Sequence, residues 1–457
     1  MRKLYTLGIY LYTLSIRLAA LFGHRNARLM VQGWPLTTAH RPPPTDHCPL
    51  TTDHCPLTTA HRPLTTAHRP LTTAHRPLTT DHCPLPTDHR PLTTDHWVWF
   101  HAASLGEFEQ ARPVLEAYRQ RHPDTKVLLT FFSPSGYEVR KNYSLADRVA
   151  YLPMDTPRNA RRLLDAYRPV AAFFVKYEFW YNYLRELRRR QIPTYLFSAI
   201  FRPEQYFFRL YGRWFLKQIR LCYRHIFVQN EESLQLLARH GINATLAGDT
   251  RFDRVHQIAQ AAEPDAVAER FLQGHDGSVL VAGSTWPPDE QLLARLRESK
   301  EWFPERIIIA PHEIHEEHLR SIEALFPDSV RYSRLSGSDS TASPVLIIDN
   351  IGLLSKLYRY ATVAYIGGGF GVGIHNILEA VAYGKPVVFG PNYHKFQEAH
   401  DLIDLGGCMI VDEHPDVSFL RKLFTDDDIY HAASDACLQL MRHNLGSTDI
   451  ILHTIEK

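Results

Sequence analysis

The sequence has little of what marks a disulfide-rich secreted protein, a nucleic-acid-binding protein or a multi-spanning membrane protein. Only six of its 457 residues are cysteine, and they form no regular framework, so a reducing compartment is expected. The formal net charge is +2 and no dense lysine/arginine block occurs, which argues against nucleic acid as a partner. No apolar run long enough to span a membrane follows the N-terminal region. The remaining composition is typical of an enzyme of two domains.

The N-terminal segment 1–32 differs from the rest of the chain. Its apolar stretch from Leu4 to Phe22, interrupted by Arg17 and flanked by further basic residues, predicts a membrane-associated anchor. The positive-inside rule would place the body of the protein on the cytoplasmic side. A cleaved signal peptide is disfavoured because no small-x-small cleavage site is convincing. The open alternative is an amphipathic helix buried against the first domain.

Nine consecutive heptads of the type Pro-Leu-Thr-Thr-(Ala/Asp)-His-(Arg/Cys) run through residues 35–97, and the segment 33–96 is assigned to this repeat. A proline every seventh residue excludes a long helix or a central strand, and at most one leucine per heptad supplies no core. The segment is therefore expected to be exposed and disordered. Its His-Cys pairs are potential zinc ligands, but near-identical units are more typical of an expanded tandem repeat, so no metal site is predicted.

From residue 97 onward, short apolar runs alternate with helical patterns. Such runs between helices predict parallel sheets that are covered on both faces. Two series of strands, separated by a charged stretch at 254–276, predict two doubly wound Rossmann-like α/β domains at 97–262 and 263–457, with a linker near 254–277. Open α/β sheets bind ligands at the carboxyl ends of their strands, so a site is expected in a cleft between the domains.

The glycine-rich stretch AYIGGGFGVGIHNILEAVAYGKPVVFGP is the strongest single motif. A strand ends in glycines 367–369, and a helix is predicted to begin near His375 and Asn376, where its N–H groups would bind phosphate. A tight strand-to-helix turn would need the same glycines. Glu379 could accept both hydroxyls of a ribose, or it is an exposed helical acid. The spacing matches neither a Walker loop nor the usual dinucleotide fingerprint, and it resembles the nucleotide-sugar site of GT-B glycosyltransferases.

Further motifs extend this resemblance: FHAASLGE, FFSPSGYE, KYEFWYN, GDTRFD, AGSTW and IDNIGLLSKLY, followed by the glycine-rich stretch. They occur in the order found in the 3-deoxy-D-manno-octulosonic acid (Kdo) transferases of lipopolysaccharide synthesis, and residues 1–32 resemble that family's anchor. The resemblance implies a GT-B fold with an acceptor-binding domain at 97–262 and a CMP-sugar-binding domain at 263–457, whose final helix could pack back on the first domain.

The same resemblance implies a reaction and its participants. Kdo would be transferred from the donor CMP-Kdo to a lipid A precursor at the cytoplasmic face of the inner membrane. No metal and no other cofactor would be required.

Three catalytic residues are implied by the resemblance. Glu107 falls on the family's proposed general base, although Ser104 and Glu107 also have the spacing of a helix capping box. Glu178 matches an acid near the reacting centre, and Lys176 stands where many members have a further acid. Arg251 stands where the family often has lysine, and it would offset charge on the donor carboxylate or the departing phosphate.

A larger set of residues is predicted to hold the CMP part of the donor. Pro311 and His312 fall on a Pro-Arg nucleotide contact of the family, with histidine in place of arginine. Ser284 and Thr285 would add hydroxyl contacts. The set consists of Ser284, Thr285, Pro311, His312, Ile351, Gly352, Leu353, Gly373, His375, Asn376, Ile377, Leu378 and Glu379.

Two other functions remain open at this stage. A nucleotide-sugar 2-epimerase would share the two domains and a related glycine-rich site, but the N-terminal apolar run and the Ser-Leu-Gly-Glu motif argue against it. The other is a non-catalytic sugar- or lipid-binding relative. Because the heptads stand where the family has a helical segment, an inactive protein is also an open alternative. The motifs do not determine the number of Kdo residues transferred, the acylation of the acceptor or the oligomeric state.

Overall fold

The computed structural model describes residues 2–33, 96–298, 304–335, 343–414 and 417–457. Most of the heptad segment lies outside these residues, so its predicted disorder stays a prediction. The described residues on both sides of the heptad segment form one compact unit, which contains both predicted α/β domains.

Two helices precede the first sheet, α1 (Arg2–Leu21) and α2 (Arg25–Gly33). The segment Lys3–Leu21 is long and apolar enough to cross a membrane, with a mean hydropathy of 1.4, and only 6% of it is buried. The alternative of a helix buried against the first domain is therefore wrong for most of α1. Tyr5 ties the start of α1 to that domain, because its hydroxyl donates to Asp155 Oδ2 at 2.7 Å.

The first sheet has seven parallel strands in the spatial order 3-2-1-4-5-6-7. The order reverses between the first and fourth strands, which are neighbours. All residues of the fifth strand are buried, as expected for a sheet covered by helices on both faces. In chain order the elements are β1 (Trp97–Ala102), α3 (Leu105–Arg121), β2 (Lys126–Phe131), α4 (Pro134–Arg140), β3 (Arg148–Tyr151), α5 (Pro157–Tyr167), β4 (Ala171–Val175), α6 (Tyr181–Arg189), β5 (Thr194–Ala199), α7 (Arg213–Cys222), β6 (His225–Val228), α8 (Glu231–Arg239) and β7 (Ala244–Leu246).

The predicted linker is largely helical. Two helices, α9 (Thr250–Ala261) and α10 (Ala266–Leu272), occupy most of the charged stretch. Asp249 begins α9 by accepting the backbone N–H of Arg251 at 2.9 Å, and Asp265 caps α10 in the same way. Asp265 thus caps a helix and Glu269 and Arg270 lie on the exposed face of α10, whereas Glu263 and Asp276 lie outside the helices.

The second sheet also has seven parallel strands, and its spatial order is 10-11-9-8-12-13-14. Val279 and Val281 pack into one core and Leu280 and Ala282 into another, so alternate residues of one strand face opposite layers of helices. In chain order the elements are β8 (Val279–Thr285), α11 (Pro287–Glu298), β9 (Arg306–Pro311), α12 (Glu316–Leu325), β10 (Ser329–Arg331), β11 (Val345–Ile347), α13 (Leu354–Leu357), β12 (Val363–Ile366), α14 (Leu378–Val381), β13 (Val387–Phe389), α15 (Gln397–Leu405), β14 (Cys408–Ile410), α16 (Val417–Thr425), α17 (Asp427–Asn444) and α18 (Ser447–Glu456).

The architecture confirms the predicted fold class of two doubly wound parallel sheets. Every apolar run interpreted as a strand contains one, although most strands are shorter than the run. The strand β10 was missed, because its three residues lie in a polar context and form the edge of the second sheet. Edge strands need no continuous apolar run, since a neighbour covers only one side of them.

Helix α9 lies at the junction of the two sheets. It contacts α3 and α18 as well as α13, α14 and α17. The carboxylate of Asp253 in α9 accepts the backbone N–H groups of Gly446 and Thr448, each at 2.7 Å, and so caps α18. Ile451 and Leu452 of α18 join the core around β1. The final helix therefore packs on the N-terminal domain.

Replacing Asp253 by alanine removes the acceptor of two N–H groups at the start of α18. We expect the free energy of unfolding to fall by roughly 1–3 kcal/mol, the cost of leaving a buried donor without a partner. Denaturant unfolding measures this change. Asp404→Ala, at an exposed position, is the matched control. Equal stability of the two variants would show that Asp253 does not hold α18.

Candidate active site

The predicted catalytic residues of the first domain meet at the carboxyl edge of its sheet. Glu107 lies in the first turn of α3, directly after β1, and Glu178 follows β4. These two strands are neighbours where the strand order reverses. Open α/β sheets form their ligand sites at this point, because the connections leave in opposite directions and open a crevice.

The Ser104–Glu107 pair forms the predicted capping box. The Oγ of Ser104 accepts the backbone N–H of Glu107 at 3.4 Å. In return, Oε2 of Glu107 accepts the N–H groups of Ala103 at 2.6 Å and Ser104 at 3.2 Å. No donor among the described residues bonds to Oε1. One carboxylate oxygen thus caps the helix, and the other remains for a ligand.

The pKa of Glu107 is raised to about 7, chiefly by burial and then by the negative charge of Glu178. His101, the N–H of Ala103 and Lys176 act in the opposite direction. A carboxyl group with a pKa near 7 is well matched to accepting a proton at neutral pH.

Glu178 is buried and held by a network that the sequence did not reveal. Its Oε2 accepts the indole N–H of Trp180 and lies 3.0 Å from Nε2 of His101. His101 is fully buried at the end of β1, with Nδ1 2.9 Å from Oγ1 of Thr130. The sequence signal for His101 was a polar residue inside an otherwise apolar strand.

Arg251 joins the two domains through ion pairs. Its Nη2 lies 2.7 Å from Oδ2 of Asp249, and its Nη1 lies 3.0 Å from Oε1 of Glu398, which belongs to α15. Gln110 of α3 also donates to Asp249 at 3.2 Å. One guanidinium thus forms ion pairs with two carboxylates. Its role toward a donor stays a prediction, since its charge is already offset within the protein.

The carboxyl edge of the second sheet carries a cluster of three rings. His312 stacks against both Trp286 and His375, with ring-centroid distances of 4.7 Å and 4.4 Å. The indole N–H of Trp286 donates to Nε2 of His375 at 3.0 Å. The pKa of His375 is lowered to about 4, chiefly by burial and then by the nearby His312, so His375 is neutral at pH 7. Trp286 was not among the predicted site residues.

The glycine-rich loop departs from its prediction in one respect. Gly368 has φ of 91°, and a Cβ on Gly367 would lie 2.3 Å from the backbone oxygen of Ser284, so the loop packs closely against the end of β8. The helix α14 begins only at Leu378 and has four residues. The N–H of His375 donates to the oxygen of Gly367 at 3.1 Å. The N–H of His375 is therefore used within the loop, α14 starts two residues after Asn376, and phosphate binding by the remaining N–H groups near Asn376 stays a prediction.

Asn376 and Glu379 form a pair at the junction of the domains. The amide Nδ2 of Asn376 donates to Oε1 of Glu379 at 3.2 Å, and Oδ1 accepts the N–H of Leu378. Burial raises the pKa of Glu379 to about 6, the Asn376 bond opposes this, and Glu109 of α3 adds to it. Glu379 is therefore not the exposed helical acid of the alternative interpretation.

The other predicted donor residues differ in accessibility. Thr285 is fully buried, and its hydroxyl donates to Glu290 at 2.9 Å, inside the second domain. Ile351 is 88% exposed. All of them lie at or beyond the carboxyl ends of parallel strands of one sheet, and so toward one edge. Pro311, Gly373, Ile377 and Leu378 are buried, whereas Ser284, Gly352 and Leu353 are half-buried or exposed.

Solved structures with this architecture include a UDP-GlcNAc 2-epimerase from Neisseria meningitidis, with a TM-score of 0.55 at 15% identity, covering 79% of this chain and 99% of that one. A glycosyltransferase from Rickettsia africae has a TM-score of 0.51 at 9% identity, covering 79% and 97%. These identities show the fold alone. The two doubly wound sheets, with polar residues at their carboxyl edges, define the GT-B type of fold.

Sequence comparison is more specific. The family model "3-Deoxy-D-manno-octulosonic-acid transferase (kdotransferase)" matches residues 72–254. The Kdo transferase of Aquifex aeolicus is 26% identical over 316 residues, 68% of this chain and 80% of the relative. That of Bordetella pertussis is 27% identical over 379 residues, 79% and 86%. Residues 72–254 thus match the Kdo transferase family, and the similarity to Kdo transferases extends over most of the chain.

Replacing Glu178 by glutamine is expected to lower the pKa of Glu107 below about 7, because it removes the nearby negative charge that raises this pKa. Carbon-13 NMR titration of labelled glutamate side chains measures the change, with Glu107→Gln identifying the resonance. Glu232→Gln, on an exposed face of α8, should leave the pKa as it is. An unchanged or higher pKa in the Glu178 variant would contradict the coupling.

Proposed function

We propose that this protein transfers Kdo from CMP-Kdo to a lipid A precursor, with Glu107 as the general base. The Kdo transferase relatives support the reaction class. The observation that carries the assignment of the base is the state of Glu107: its pKa is raised to about 7, and Oε1 has no donor among the described residues. The carboxyl group of Glu107 thus uses only one oxygen to cap α3, and it is not fully solvated.

The proposed step is a displacement at the anomeric carbon of Kdo. The bond from this carbon to the phosphate oxygen breaks, and CMP leaves with the electron pair. The acceptor hydroxyl oxygen forms the new bond, and its proton passes to Glu107. A direct displacement of this kind inverts the anomeric centre. The proposal routes no step through a metal ion or another cofactor.

The nucleotide is assigned to the carboxyl edge of the second sheet. The exposed ring of His312, stacked on Trp286 and His375, offers a flat surface on which a cytosine can pack. Asn376 and Glu379 supply an amide and a carboxyl group to the ribose hydroxyls. The charge of Glu109 in α3 acts on Glu379, and Glu109 lies two residues after Glu107, so a donor held there would present its sugar toward the base.

The acceptor is assigned to the membrane surface, which also explains α1. Its exposed apolar residues include Leu7 and Leu11, at 54% and 60%. The free energy falls when exposed apolar side chains such as these enter a lipid interface. We propose that α1 holds the enzyme at the cytoplasmic face of the inner membrane, where a lipid acceptor is present.

Glu107→Gln tests the base. Glutamine keeps an oxygen that can accept the N–H groups of Ala103 and Ser104, so the cap of α3 is preserved, but it cannot take a proton. We expect transfer to fall at least about 100-fold, the lower range for a positioned base, with CMP affinity retained. Mass analysis of the lipid product and calorimetric titration with CMP measure the two quantities.

Ser104→Ala, which weakens only the cap, is the matched control and should retain most activity. Turnover of Glu107→Gln near that of the unchanged protein would return Glu107 to a capping role. Acceptor-independent conversion of a nucleotide sugar, without a Kdo-lipid product, would instead favour a 2-epimerase.

Transfer should also depend on pH in a defined direction. The base acts as a carboxylate, so kcat/KM should rise as the pH increases through about 7 and should fall below it. Initial rates between pH 5.5 and 8.5, roughly bracketing that value, measure the profile. A rate that is flat across this range would contradict the assignment of Glu107.

The pair Leu7→Glu and Leu11→Glu tests the membrane role of α1. Two charges on its apolar surface should abolish most binding to vesicles of the inner-membrane lipids, as measured by flotation. Leu325→Glu combined with Leu438→Glu adds the same charge at partly exposed leucines of the second domain and should leave binding intact. Equal flotation of both double variants would contradict the anchor.

A further inference from the structure

Lys176 occupies the same sheet edge as Glu107 but belongs to no internal ion pair of the described residues. It directly follows β4, at the reversal of strand order. Its backbone has φ of 64°, an uncommon value for a residue other than glycine. The recorded contact of its ammonium is with the ring of Tyr177, whose centroid lies 5.9 Å away.

The charges around Lys176 are unequal. Glu107, Asp249 and Glu398 attract its ammonium, and Arg251 repels it. Burial lowers the pKa of Lys176, and Arg251 lowers it further, so a carboxylate in contact with the ammonium would stabilise its charged form.

Arg251 cannot pair with an additional negative group without releasing the carboxylates that it already binds. Its guanidinium holds Asp249 and Glu398 at 2.7 Å and 3.0 Å, and these contacts join the two domains. Both carboxylates are less than a tenth exposed. Releasing either one would therefore leave a buried charge without its partner, which is energetically costly. The ammonium of Lys176 is the neighbouring cation whose charge is not used in this way.

The chemistry of the donor places an anion at this position. In a keto-sugar acid the carboxylate is bonded to the anomeric carbon itself, so it must lie beside the centre that the acceptor hydroxyl attacks. That hydroxyl must also reach Glu107. A carboxylate that enters such a half-buried site is stabilised only if it meets a positive or hydrogen-bonding partner.

We propose that the ammonium of Lys176 binds the carboxylate of the transferred sugar acid and so selects acidic keto-sugars as donors. This role rests on the proposed function. Lys176 touches the transferred group rather than the nucleotide. Loss of the ammonium should therefore weaken the binding of CMP-Kdo. The binding of CMP, which has no such carboxylate, should be unaffected.

The test compares Lys176→Met and Lys176→Asn with Lys176→Arg. Methionine keeps the length and removes the charge, asparagine removes the charge and tolerates a positive φ, and arginine keeps the charge. We expect KM for CMP-Kdo to rise roughly 10- to 100-fold in the two uncharged variants, as for a lost hydrogen bond to a charged group. Arginine should restore most of it. The Kd for CMP should stay within about twofold in all three.

Lys217→Met, at an exposed position of α7, is the control and should bind CMP-Kdo normally. Thermal unfolding of each variant shows whether it is folded. A rise of KM for the lipid acceptor alone would mean that Lys176 meets an acceptor phosphate and would overturn the proposal. Unchanged constants for both substrates would overturn it as well.

Failure of the proposed function is distinguishable from failure of this inference. If the unchanged protein forms no Kdo-lipid product, the transferase assignment fails, whatever the variants do. Calorimetric titration with CMP-Kdo and with CMP still tests Lys176 in that case. Equal preference for CMP-Kdo over CMP in the unchanged protein and in Lys176→Met would overturn the inference on its own.

Discussion

The ion pairs of Arg251 with Asp249 and Glu398 are the interaction on which the site depends. The residues of the two sheets can act on one substrate only if their carboxyl edges are held in a defined relation. Arg251 provides this, since Asp249 is bonded to Gln110 of the first domain and Glu398 belongs to α15 of the second. Burial works to raise the pKa of Asp249, but Arg251 outweighs it and the pKa lies below its usual value, so the pair remains charged at neutral pH.

The same helix carries the second tie between the domains. Asp253 lies two residues after Arg251 and caps α18, whose apolar residues enter the core around β1. A stretch that is charged in sequence is thus a junction in space. Because its carboxylates accept buried N–H groups or face a guanidinium, the charges stabilise the junction instead of keeping it solvated.

Glu107 shows that capping a helix and accepting a proton are compatible. The two oxygens of the carboxylate have different surroundings. Oε2 accepts the N–H groups at the start of α3, and Oε1 remains for a ligand. Burial and the like charge of Glu178 raise its pKa even though the cap lowers it. The position is therefore set by backbone geometry, while its protonation is set by the neighbours that tertiary folding brings to it.

The local elements were predictable from the sequence for a physical reason. Apolar runs in a parallel sheet are buried on both faces, so each run marked a strand, and the spacing of Ser104 and Glu107 is sufficient for a capping box. The edge strand β10 and the helical nature of α9 were missed, because neither depends on a continuous apolar run. The late start of α14 was missed because a loop contact uses the N–H of His375.

The sequence by itself determined the class of fold, the order of the strands along the chain and the positions of the polar residues that follow them. Only the tertiary structure decided which of these residues meet. Arg251 and Glu398 are far apart in the chain, and the partners of Glu178 and His375 come from other strands. Contacts of this kind, and the burial that shifts the pKa of Glu107, arise from packing between elements, which local pattern does not record.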